Sequence, residues 1–115
     1  QGSEAQDNVR VIRLVQNMHV VKPVNILEAE GGFDIYMGDN FHRIGESDKN
    51  SGFRDFIESQ KIGMVVITKL LATDIRFKND PEWQEFLHNF GEFGFIQVPM
   101  SGSETKVIAR KDLLP

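Results

Sequence analysis

This chain has no cysteine, which removes disulfides, thiolate metal sites and cysteine nucleophiles at once. It also has no long apolar run: nothing approaches the roughly 18 apolar residues that cross a bilayer. Its cations gather into no basic face. Arg10 and Arg13, then Arg43, Lys49 and Arg54, then Lys106, Arg110 and Lys111 are spread out, and the net charge is −4. No nucleic-acid partner is expected, because neutralising phosphates needs a basic surface. There is no polybasic run of the membrane-docking kind either.

What is present reads as one globular domain. The 115 residues, 40% apolar and 26% charged, suffice for a single real core. The opening Gln1-Gly2-Ser3 resembles the scar of a cleaved affinity tag, and Leu113-Leu114-Pro115 is an odd natural end. The expectation is a disordered tag remnant over 1–6 and a single α/β domain over 7–115, excised from a longer protein.

The clearest pattern is a helix-then-strand unit that occurs twice, from Ser51 to Thr68 and from Asp80 to Val98. In the first, Ser51 is a candidate N-cap and Phe53, Phe56 and Ile57 recur at helical spacing. The continuous run Met64-Val65-Val66-Ile67-Thr68 predicts a strand covered on both faces. In the second, Asp80 caps, Pro81 takes the first helical position, and Trp83, Phe86, Leu87 and Phe90 form an apolar stripe. Phe95 to Val98 and Thr105 to Ala109 then predict a closing hairpin around Ser101-Gly102-Ser103.

Ahead of these units, Asp7 to Met18 predicts a helix, Val24 to Ala29 a strand after Pro23, and Phe33 to Met37 a short helix closed by Gly38. Phe41 to Gly45 is a weaker strand. The fold class is α/β: a mixed sheet of about five strands in two or three layers with flanking helices, ending in a β-hairpin.

Motifs that carry chemistry are scarce. Gly31-Gly32 lacks the third glycine of a dinucleotide site, so no cofactor is expected. His19, His42 and His88 lack metal-ligand spacing, and Gly102-Ser103-Glu104 is no nucleophile elbow. Glu28 and Glu30 stand two apart on the expected strand, so they share a face near its carboxyl end, with Asp34 and Asp39 following. Ligands of open α/β sheets bind at that end, where a cation or sugar hydroxyl would meet these acids. Phe33, Tyr36 and Phe41 fall among them, and an aromatic surface beside carboxylates suits a carbohydrate. The weak ligand-binding candidates are thus Glu28, Glu30, Asp34 and Tyr36, against the plain alternative of solvated acids at a strand end.

The order of elements resembles a known family. The initial helix with Val24-Asn25-Ile26-Leu27-Glu28, the Gly32-to-Met37 segment, Phe53 to Thr68, and Trp83-x-x-Phe86-Leu87 with Gly94-Phe95 and the hairpin carry the resemblance. It is to the small extracytoplasmic tail of polytopic dolichyl-phosphate-mannose and aminoarabinose transferases. The resemblance implies a non-catalytic accessory domain at the extracytoplasmic side of a bacterial inner membrane. Its partners would be the membrane-embedded remainder of the same chain and a carbohydrate or lipid-linked sugar. That family's catalytic acids lie in the membrane-embedded portion, so none transfers to this segment. Two other readings compete: a free-standing ligand-binding or protein-interaction module, and a small enzyme using Glu28, Glu30 or Asp34.

Overall fold

The computed structural model describes residues 3–20, 22–31, 33–100 and 102–114, and of residues 3–5, 34 and 35 the backbone only. Helix α1 (Ser3–Gln16) leads into strand β1 (Val24–Leu27), helix α2 (Phe33–Met37) and strand β2 (Phe41–Ile44). Helix α3 (Phe53–Ser59) and strand β3 (Ile62–Ile67) follow. Three helices come next, α4 (Lys69–Thr73), α5 (Ile75–Lys78) and α6 (Pro81–His88), and then strands β4 (Phe95–Val98) and β5 (Lys106–Arg110).

The strands form one mixed sheet in the order β2-β1-β3-β5-β4. β2, β1 and β3 run parallel, whereas β5 is antiparallel to both β3 and β4. All six residues of β3 are buried, as expected of a central strand with no polar face. Alternation along it divides the interior in two. Val65 and Ile67 face a core with Phe53, Phe56, Phe77, Trp83 and Phe86, whereas Met64 and Val66 face one with Val11, Val15, Phe33 and Met37. Helices α3 to α6 therefore cover one face and α1 with α2 the other, a three-layer arrangement.

The first core is dense in aromatic rings. Phe53 stands 5.1 Å from Trp83 and 4.9 Å from Phe86, ring centre to ring centre. Such pairs add about 0.5–1.5 kcal/mol each beyond the area they bury. On the opposite face α1 is tied to the β4–β5 connection, where Arg10 donates to the Gly102 carbonyl and Thr105 Oγ1 donates to Asp7 Oδ2.

Several expected boundaries move for identifiable reasons. α1 starts at Ser3 rather than Asp7, which places Asp7 inside the helix, where its carboxylate accepts from Thr105 Oγ1. β3 starts at Ile62 rather than Met64, and Gly63 lies inside it at a bulge: Asn25 pairs with Ile62 and Ile26 with Met64, which leaves Gly63 as the extra residue. A side chain there would collide with Leu113, whose Cδ1 stands 2.8 Å from the position a Cβ would take. Thr68 is not the last strand residue but the N-cap of α4, its Oγ1 accepting from the Leu71 N–H at 3.3 Å. α3 is capped at Gly52, not at Ser51. The closing strand β5 is interior to the sheet, and the edges are β2 and β4.

Candidate functional site

The carboxyl ends of the parallel strands are where open α/β sheets generally bind ligands. After β1 the chain leaves to α2 on one face, and after the adjacent β3 it leaves to α4 on the other. Neighbouring strands that send their connections to opposite faces leave a crevice between them. Glu28 follows β1 directly, Gly45 follows β2, and Thr68 follows β3.

Glu28 is fully buried and directed inward. One carboxylate oxygen, Oε1, accepts from the Gly31 N–H at 2.7 Å, which closes the turn after β1. The other, Oε2, lies 3.2 Å from Arg43 Nε, a contact of charges without hydrogen-bond alignment. Arg43 Nη2 also donates to the Glu28 carbonyl at 3.2 Å and to Glu46 Oε1 at 3.3 Å. Gly45 makes room for this, since a Cβ there would stand 2.8 Å from Arg43 Nη1. Glu28, Arg43 and Glu46 thus clip the loop after β1 to the loop after β2. A buried carboxylate with this partner set is held, not offered.

The remaining candidates do not join it. β1 ends at Leu27, so Glu28 and Glu30 do not share a strand face: the first is buried and the second exposed. The Asp34 side chain lies outside the described residues. Tyr36 is 60% exposed, whereas Phe33 and Phe41 are buried in the second core, so the expected aromatic surface is reduced to a single ring. Asp39 is exposed. His88 is exposed, and its Nδ1–H donates to the Gln84 carbonyl at 2.7 Å. Among the described residues no three His, Asp or Glu side chains converge on a point that would hold a metal ion. Nor is any helix among them long and apolar enough to cross a membrane.

A second charged arrangement has no counterpart in the sequence reading. Lys49, in the loop after β2, places Nζ 2.7 Å from Asp80 Oδ2, and both side chains are nearly buried. Lys49 Nζ also donates to the Ser51 carbonyl at 2.9 Å, and Asp80 Oδ1 accepts from the Glu82 N–H at 2.9 Å. Burial alone would raise the Asp80 pKa. The Lys49 ammonium and the backbone N–H groups of Glu82 and Phe53 outweigh it and hold the carboxyl below its usual range. Asp80 is legible as a helix cap from Asp-Pro, but nothing in the polar stretch around Lys49 marks it as the partner. Over this pair lies an open depression of about 460 Å³, lined also by Asn50, Arg76 and Asn79. Its charges are internally matched, since Arg76 Nη1 meets Asp74 Oδ2 at 2.9 Å.

The arrangement can hold loops in place, and its acids are engaged by the chain's own donors. No protein-family model, curated protein or solved structure matches this chain.

Proposed function

We propose that this chain is a non-catalytic accessory domain on the extracytoplasmic side of a bacterial membrane protein, and that the protein is a lipid-linked-sugar glycosyltransferase. The observation that carries the non-catalytic part is Glu28: the acid at the ligand-binding end of the sheet is buried and bound by Arg43 and the Gly31 N–H. A general acid or base has to reach its substrate's proton. What supports the second part is the order of elements, from the initial helix to the closing hairpin, which resembles the tail of that transferase family. The partner is the membrane-embedded remainder of the same chain. Any contact with carbohydrate or lipid-linked sugar falls to exposed groups such as Glu30 and Tyr36.

The test is sugar transfer from a polyisoprenyl-phosphate donor. The isolated chain is expected to transfer nothing, whereas membranes carrying the intact gene product transfer sugar. Replacing Glu28→Gln in the intact protein is expected to leave kcat unchanged. Transfer by the isolated chain, or loss of kcat in a folded Glu28→Gln protein, overturns the reading.

A further inference from the structure

The two most exposed aliphatic side chains among the described residues sit on one short stretch of chain. Leu70 on α4 is 53% exposed and Ile75 on α5 is 66% exposed. They are not core residues displaced outward, because the same helices anchor themselves through Leu71 and Phe77, both fully buried. Thr68 and Asp74 fix the two helices by accepting from the Leu71 and Arg76 N–H groups. The aliphatic pair is thus presented on a braced tip, not on a loose loop.

Charge on the tip runs against the charge of the chain. Residues 69–78 carry Lys69, Arg76 and Lys78 against one acid, Asp74, in a protein of net charge −4. Asp74 is occupied by Arg76. Among the described residues Lys69 and Lys78 enter no ion pair, and both are exposed. Two exposed aliphatic groups on a stretch that also carries two exposed lysines match an interface that is apolar a few ångströms down and anionic at its rim. An anionic lipid bilayer has that profile.

We infer that the α4–α5 tip docks on an anionic phospholipid surface, with Leu70 and Ile75 entering the headgroup region and Lys69 and Lys78 held at the phosphates. The inference deepens the membrane-associated reading above by giving the domain an orientation: the carboxyl end of β3 turns toward the bilayer. It is tested separately, since vesicle binding requires only this chain and sugar transfer requires the intact protein.

The experiment is flotation of the chain with phosphatidylcholine vesicles, with and without an equal share of phosphatidylglycerol, at low salt. Binding is expected to the anionic vesicles alone and to weaken as salt rises. Leu70→Ser with Ile75→Ser is expected to lower binding about tenfold or more, and Lys69→Gln with Lys78→Gln about 25-fold. All four positions are exposed, so an unchanged Trp83 fluorescence spectrum certifies the fold of each variant. No flotation of the unaltered chain overturns the inference. So does binding that ignores the Leu70 and Ile75 replacements, which would leave charge attraction to the lipid alone. Self-association abolished by the same replacements would assign the tip to a second copy and likewise overturn it.

Discussion

The Glu82 carboxylate, carried on α6, accepts the Arg54 N–H at 3.0 Å and so serves the first turn of α3 instead of its own helix. α6 has no need of it, because Asp80 already caps that helix through the Glu82 N–H. Gly52 makes the exchange possible: a Cβ at that position would stand 2.6 Å from Glu82 Oε1. Two helices that cover the same face of the sheet are thereby joined at their amino ends.

Gly52→Ala is therefore expected to cost about 1 kcal/mol, the usual worth of an N-terminal cap. The Gly52 backbone, at φ −57° and ψ 154°, is open to alanine, so the cost comes from displacing the carboxylate alone. Urea unfolding of Gly52→Ala, Glu82→Ala and the double variant checks this. In the Glu82→Ala background Gly52→Ala should cost almost nothing. Strictly additive costs would mean the two residues do not act together.

Arg43→Met should be more damaging than its partly exposed position suggests. It leaves the fully buried Glu28 carboxylate with no counter-charge, a loss of about 3 kcal/mol. Adding Glu28→Gln should recover most of that, because a neutral amide can still accept from the Gly31 N–H. Chemical denaturation of the single and double variants measures both. A harmless Arg43→Met would show that the clip does not hold the loops.

Asp80 sets an expectation for acid. Its folded-state pKa lies below its unfolded value, so ionised Asp80 stabilises the fold above the unfolded value, about 3.9, and that contribution is lost as pH falls through the folded pKa. Asp80→Asn should be less stable at neutral pH and should lose less on going below about pH 4. Thermal unfolding at stepped pH reads the difference. Parallel acid limbs in the two proteins would rule out the Lys49–Asp80 pair as a source of acid sensitivity.

What could be read in advance followed from local chemistry. The β-branched run in β3, the Asp80-Pro81 start of α6 and the Gly38 end of α2 each carry their signal within a few residues, and each stands as expected. α4 and α5 were illegible because helices of five and four residues are too short to show a period. Their caps, Thr68 and Asp74, have meaning only once the turns exist. The ion pairs were illegible for a different reason: Arg43 reaches Glu28, and Lys49 reaches Asp80, through strand order and loop path. The Glu28–Glu30 face was lost when β1 stopped at Leu27, where the Glu28 N–H turns to the Ile44 carbonyl and the chain begins its turn.

The measurement that bears most directly on an accessory domain of a membrane transferase is the translated reading frame around this segment. The account predicts several upstream apolar runs of about 18 residues or more, each able to cross a bilayer. A short frame without such runs would contradict it and leave a free-standing binding or interaction module in its place.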